Sequence, residues 1–187
     1  MNRSQRPATA PGAAVTRPPL YTAEQRVRRN QSRWTLVQGL LAPVQFVVFL
    51  VSLALVLRYL ATGEGLWAAT LSVVVKTLVL YTIMVTGAIW EKVVFGQYLF
   101  APAFYWEDVF SMLVLALHTA YLAALATGAL GAQGQMLLAL AAYATYVVNA
   151  AQFVWKLRLA RLDEAARAAV SGATEGKPRP ASQGVVA

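Results

Sequence analysis

The sequence predicts an all-α integral membrane protein: an antiparallel bundle of four transmembrane helices with disordered tails. Three observations carry this. Of the 187 residues, 58% are hydrophobic and only 13% charged, and the mean hydropathy is +0.53, far from the composition of a soluble domain. The segment from Val109 to Trp155 contains no Asp, Glu, Lys or Arg; no soluble core helix needs such a length, whereas two membrane crossings joined by a polar turn explain it. Short turns, Thr62-Gly-Glu-Gly and Gly128-Ala-Leu-Gly-Ala-Gln-Gly, separate the apolar runs within each of two pairs, which forces hairpins of neighbouring helices.

Residues 1–20 are rich in Pro, Ala and Arg without apolar periodicity, so a disordered tail is expected there rather than a signal peptide. The first apolar span then serves as its own membrane signal. Between Tyr21 and Arg33, the Thr22-Ala-Glu-Gln start followed by Arg26, Arg28, Arg29 and Arg33 predicts a short basic helix on an anionic membrane surface. The membrane domain covers residues 21–162, with spans at about 34–60, 66–90, 108–128 and 135–155, each close to or above the ~20 residues that cross a bilayer. Residues 163–187 are expected to form a flexible tail.

Arginines precede the first span, and Lys156, Arg158 and Arg161 follow the last, against a single Glu64 in one short turn and no charge in the other. The positive-inside rule therefore predicts both termini in the cytoplasm of a multi-pass protein of the bacterial inner membrane, cytoplasmic or intracytoplasmic. The long connection from Glu91 to Glu107 lies on the same side. Its aromatic run, Phe95-Gly-Gln-Tyr-Leu-Phe-Ala-Pro-Ala-Phe-Tyr-Trp, suits the interface and forms a lid or lip.

The composition also excludes function classes. With no cysteine and a single histidine, His118, the chain lacks thiolate chemistry and the ligands of a multi-histidine zinc site. The net charge of +8 sits in segments beside the first and last spans, which points to orientation rather than to nucleic acid. No GxGxxG or P-loop pattern implies a bound cofactor.

Polar residues inside spans cost about 2.5–3.5 kcal/mol on insertion scales, so each is a functional candidate. Counted from the cytoplasmic ends at roughly 1.5 Å per residue, Gln45 and His118 lie about 16 Å deep, Asn149 about 10 Å, Gln38 and Gln152 nearer the surface, and Lys76 beyond the midplane. Together they predict a polar column rising from the cytoplasmic mouth. For the amides, interhelical glue is the structural alternative. For Lys76, which wants an acidic partner or an anionic ligand, the alternative is a shift of a few residues in the span that brings its amine to the outer headgroups.

The clearest chemical grouping is Trp90-Glu91-Lys92 with Trp106-Glu107-Asp108. One loop joins the two helices, so Glu91, Glu107 and Asp108 are expected at similar depth on the cytoplasmic side. Partial desolvation and like-charge proximity disfavour ionising all three at once, and a protonated acid beside an ionised partner is equipment for general acid–base work. As an alternative, the acids mark the membrane boundary while Trp90 and Trp106 form an aromatic belt.

Several runs carry a resemblance: Leu20-Tyr-Thr-Ala-Glu-Gln-Arg, Trp34-Thr-Leu-Val-Gln-Gly-Leu-Leu-Ala-Pro-Val-Gln-Phe, Ile89-Trp-Glu-Lys-Val-Val-Phe-Gly, Phe104-Tyr-Trp-Glu-Asp and Tyr146-Val-Val-Asn-Ala-Ala-Gln-Phe. From about Leu20 to Leu162 the chain resembles the bacteriochlorophyllide vinyl hydratases of photosynthetic bacteria. The resemblance implies a hydro-lyase that adds water to the 3-vinyl group of chlorophyllide or bacteriochlorophyllide a, position 2 in older ring numbering, to give a 1-hydroxyethyl substituent in bacteriochlorophyll synthesis. It implies no cofactor, with water as cosubstrate and neighbouring pigment-biosynthesis enzymes as partners. Under this expectation Glu107 is the acid and Glu91 or Asp108 positions water. His118, with Asn149 or Gln152, ligates the substrate magnesium or bonds ring substituents, Gln45 lines the column, Trp90 and Trp106 form lips, and Lys76 meets the propionate if the pigment enters deeply. The chief rival is a non-catalytic tetrapyrrole-binding or assembly protein using the same groove. A haem or quinone protein would need two chains to supply two histidines, and a four-span multidrug-type transporter would need an acid within a span.

Overall fold

The computed structural model describes residues 20–175, and within them the chain is five helices: α1 (Ala23–Gln31), α2 (Arg33–Thr62), α3 (Leu66–Phe95), α4 (Tyr105–Thr127) and α5 (Ala132–Glu175). Residues 1–19 and 176–187, which hold nearly all of the expected N-terminal tail and about half of the C-terminal one, lie outside the described residues. Helices α2 to α5 are each long and apolar enough to cross a membrane, so the chain is an integral membrane protein built as a four-helix bundle. Each apolar run coils because the backbone's polar groups must be satisfied within the segment where water is absent.

The two hairpins, α2 with α3 and α4 with α5, make the most extensive contacts, and α2–α5 and α3–α4 contacts close the bundle. Gly63 and Gly65 in the first turn have φ of 74° and 83°, left-handed values that a side chain disfavours, which allows so short a reversal. Helix α5 does not stop where its apolar span ends. It continues to Glu175, so residues 163–175 extend the helix in a stretch whose composition reads as tail.

Two apolar clusters hold the bundle. The inner one packs Phe49 and Val56 of α2, Ala69, Val73 and Leu80 of α3, Val114 and Tyr121 of α4, and Met136, Ala139, Tyr143 and Tyr146 of α5. Phe49 lies 5.4 Å from the Tyr143 ring and 4.8 Å from that of Tyr146. The second cluster, Tyr21, Val94 and Phe104 with Trp90, Phe95 and Phe153 against them, closes the end where the long loop lies.

Helix α1 is fastened to that end. Thr22 and Gln25 form a reciprocal capping box, Tyr21 stacks on Phe95 at 5.8 Å, and Arg26 and Arg29 reach Glu164 of α5 at 3.7 and 4.0 Å. The basic helix expected on a lipid surface is therefore also a clasp between the first and last elements, and it puts both ends of the described chain on one face.

Truncating Phe49, which is 3% exposed, leaves a cavity between α2 and α5. Phe49→Ala is expected to lose about 3–5 kcal/mol, seen as a lower thermal unfolding midpoint in detergent.

Candidate active site

The connection between α3 and α4 builds the site. Gly96 caps α3 with φ 87° and an N–H donated to the Lys92 carbonyl at 3.0 Å, and Phe104 N–H bonds the Ala101 carbonyl at 2.7 Å. Between them the loop turns two backbone N–H groups onto two carboxylates. Phe100 N–H donates to Asp108 Oδ2 at 2.7 Å, and Ala101 N–H to Glu91 Oε2 at 3.3 Å. Phe100 does so from a left-handed conformation, φ 59°, the one such non-glycine among the described residues, a local strain that the bond to Asp108 offsets.

Glu91, Glu107 and Asp108 are 5%, 6% and 4% exposed. Glu91 and Asp108 are close enough to act on each other's charge. Glu107 is turned instead toward α5, where Lys156 Nζ meets its Oε2 at 2.7 Å. An ammonium in that position holds a carboxylate ion, so the three acids divide into a close pair and a salt-bridged third. Sequence spacing places these acids at one level but contains no sign of Lys156, which lies 49 positions away.

The tryptophans also divide. Trp90 Nε1–H donates to Thr35 Oγ1 at 3.0 Å, and its ring packs edge-on against Phe95 and Phe104, both at 5.8 Å. It belongs to the closing cluster. Trp106 is 67% exposed, and with exposed Tyr98, Phe100 and Tyr105 it forms an aromatic surface on the α3–α4 connection.

Helix α5 meets α4 at this end of the bundle. Asn149 Nδ2 donates to Ser111 Oγ at 2.9 Å, and Gln152 stands one turn from Asn149 and one turn from Lys156. Gln38 lies across the bundle, donating to Thr86 Oγ1 at 2.7 Å.

His118, Gln45 and Lys76 are not brought to the mouth. Along α4, His118 is ten positions beyond Asp108, roughly 15 Å, and along α3, Lys76 is fifteen positions from Glu91, roughly 22 Å. They form a deeper polar layer. Lys76 is fully buried, has no hydrogen-bond partner among the described residues and lies 4.1 Å over the Tyr146 ring. His118 Nδ1 bonds the Val114 carbonyl at 2.8 Å, so Nδ1 carries the hydrogen and Nε2 keeps a free lone pair. Its ring is 5.8 Å from that of Tyr143, whose hydroxyl shares a bond with Ser52, itself 2.7 Å from Ser72. Gln45 is buried with an unpaired Oε1. At the opposite end of the bundle a groove of about 260 Å³ is lined by Leu66, Thr70, Ala124, Leu125 and Gln135 among others. None of its lining residues is ionisable.

Fold and site together define a class: a polytopic membrane protein with three buried carboxylates at one end of its bundle, beside exposed aromatic side chains of the α3–α4 connection. The sequence profile of the 2-vinyl bacteriochlorophyllide hydratases matches residues 21–159, and the chain belongs to that family. A 2-vinyl bacteriochlorophyllide hydratase of Cereibacter sphaeroides is 71% identical over 155 residues, covering 83% of this chain and 95% of the relative. One of Rhodobacter capsulatus is 69% identical over 150 residues, covering 80% and 87%. No solved structure matches the chain.

Removing Lys156 strands the Glu107 carboxylate, whose side chain is 9% exposed. Lys156→Ala is expected to destabilise by about 1–3 kcal/mol, less than for a fully buried pair because Lys156 is partly in solvent. Glu107→Gln in the same chain should recover part of the loss, a coupling that a double-mutant cycle of unfolding midpoints measures.

Proposed function

We propose that this chain adds water across the vinyl group of a bacteriochlorophyllide at the mouth formed by α3, α4 and α5, with Glu91 as proton donor and Asp108 as its ionised partner. The observation that carries this is the buried, neighbouring pair, each member held by a backbone N–H of one loop. Two carboxylates so close share one proton. The helix ends decide which keeps it. Asp108 lies in the first turn of α4, where the positive end of the helix dipole and the short bond from Phe100 favour the anion. Glu91 lies toward the C-terminus of α3, where the dipole disfavours a negative charge.

The protonated Glu91 delivers its proton to the terminal vinyl carbon, and the π electrons form the new C–H bond. The positive charge on the adjacent carbon is delocalised into the macrocycle. Water adds there and gives up a proton to the carboxylate pair, which regains its single shared proton. The sum is C=C plus H₂O to a 1-hydroxyethyl group, redox-neutral and without a cofactor. Glu107, ion-paired with Lys156, supports the pair rather than serving as the acid.

The hydro-lyase reading agrees with the family's name and with high identity to named hydratases over most of both chains. Exposed rings of Trp106, Tyr98, Phe100 and Tyr105 offer the macrocycle a flat apolar approach from the lipid boundary. A pigment with its vinyl end at Glu91 does not extend to Lys76, so the propionate contact is not part of this pose, nor is magnesium ligation by His118. The aromatic surface and the tails face the cytoplasm of the bacterial inner membrane on the distribution of Arg and Lys. Contact with neighbouring pigment-biosynthesis enzymes fits the need to pass an insoluble product onward.

Incubating detergent-purified protein with 2-vinyl bacteriochlorophyllide in oxygen-18 water should yield a product heavier by one labelled water. Pigment bound without conversion would instead favour the carrier reading. Glu91→Gln and Asp108→Asn are each expected to lower turnover by about 10²–10⁴-fold with pigment affinity retained, and Glu107→Gln by less. Equal losses in all three would refute the division of roles. Single cysteines placed at Glu64 and Arg161 of this cysteine-free chain should react from opposite sides of sealed vesicles, Arg161 from the cytoplasmic side.

A further inference from the structure

Two acceptor atoms at this end of α5 have no donor among the described residues: Asn149 Oδ1 and Gln152 Oε1, both shielded from solvent. Asn149 is 9% exposed, and its amide nitrogen is already committed to Ser111. Interhelical glue accounts for that nitrogen and for neither oxygen. An acceptor left unsatisfied in an apolar setting costs about 1–3 kcal/mol, so the pair calls for a ligand that gives hydrogens and needs none.

The antiparallel register fixes where this ligand stands. Lys156 pairs with Glu107, and Asn149 with Ser111. Gln152 lies between these two rungs, opposite the turn of α4 that carries Asp108. Residues three apart on one helix face have Cβ atoms about 5–6 Å from each other, a separation that one small molecule bridges.

We propose that Asn149 and Gln152 hold the water that is added to the substrate, each amide oxygen accepting one of its hydrogens. This rests on the hydration reading above and assigns the half of the reaction that the carboxylates leave open. A water that donates both hydrogens to α5 keeps its lone pairs for the side away from α5. It is then oriented to attack the cation formed after Glu91 has delivered its proton. As the C–O bond forms, the water exchanges its bond to one amide oxygen for a bond to the Asp108 carboxylate, which takes that hydrogen as a proton, so the pair recovers the proton it lent. Proton delivery and water delivery thus come from different helices, and substitutions should separate them.

The separation is read in deuterated water. Protonation of the vinyl carbon places deuterium there; if capture by water fails, the cation sheds a proton and returns vinyl pigment that keeps some label. Gln152→Leu and Asn149→Leu are each expected to slow hydration about 10- to 100-fold while recovered substrate gains deuterium at its terminal vinyl carbon. Gln152→Glu and Asn149→Asp, which preserve an acceptor oxygen, should recover hydration relative to the leucine variants. Pigment binding, followed by absorption, certifies that each variant is folded. If hydration and vinyl exchange fall together in the folded leucine variants, or if hydration in them is unchanged, the water site is overturned. If the unsubstituted protein binds pigment but neither hydrates it nor exchanges its vinyl hydrogens, the hydration reading fails and the water site with it.

Discussion

Everything at the mouth depends on how the protein satisfies carboxylates buried at the edge of hydrocarbon. An acid there needs a donor, a cation or its own proton. Two of these are in place here. The α3–α4 loop gives Phe100 and Ala101 N–H groups to Asp108 and Glu91, and Lys156 is given to Glu107. Each solution fixes a piece of backbone. The loop is bent into a left-handed conformation at Phe100, α5 is drawn against α4, and Phe104 is left to seal the end with Trp90, Phe95 and Phe153.

The bundle was legible because hydropathy and turn length are local properties. An uncharged run from Val109 to Trp155 and two short turns leave little freedom for four spans. The shared level of Glu91, Glu107 and Asp108 was legible too, since one loop joins their helices. Partner choice was not. Whether Glu107 faces α3 or α5 depends on the rotation of α4, and nothing near Glu107 in sequence reports the Lys156 contact. The outward turn of Trp106 has the same origin, because adjacent helical positions point in different directions. Helix α5 outruns its apolar span for another reason. Apolar content marks where the membrane ends, but a helix rich in Ala, Leu and Arg has no cause to stop there.

Depth separates what spacing alone had joined. Polar residues on several helices suggest a column rising from the cytoplasmic end; in the structure the acids and Lys156 lie at that end, while Lys76, His118 and Gln45 lie deeper along their helices. The outer layer holds the acids, Lys156, Asn149 and Gln152. The inner holds Lys76, His118 and Gln45 among Tyr143, Tyr146, Ser52 and Ser72. Stripes on single helices reveal which faces are wet, not which residues meet across the bundle. The inner layer keeps its own polar logic: a lysine against a tyrosine ring, a histidine with one nitrogen tied to its helix, and a serine–tyrosine network joining α2, α3 and α5.

Why hydration should be divided between helices follows from the chemistry. A proton donor must lose its proton in the first step, whereas a group that orients water must remain unchanged through it. Placing both tasks on one carboxylate would alter the water's orientation just as the cation appears. Carboxylates on α3 and α4 are suited to exchange a proton, because their opposite helix ends stabilise opposite states of the pair. Amide oxygens on α5 are suited to the water, because they accept hydrogens and do not titrate. Lys156 links the two sets: one turn beyond Gln152 it grips Glu107, so a salt bridge sets the register of α5 against α4 at this level.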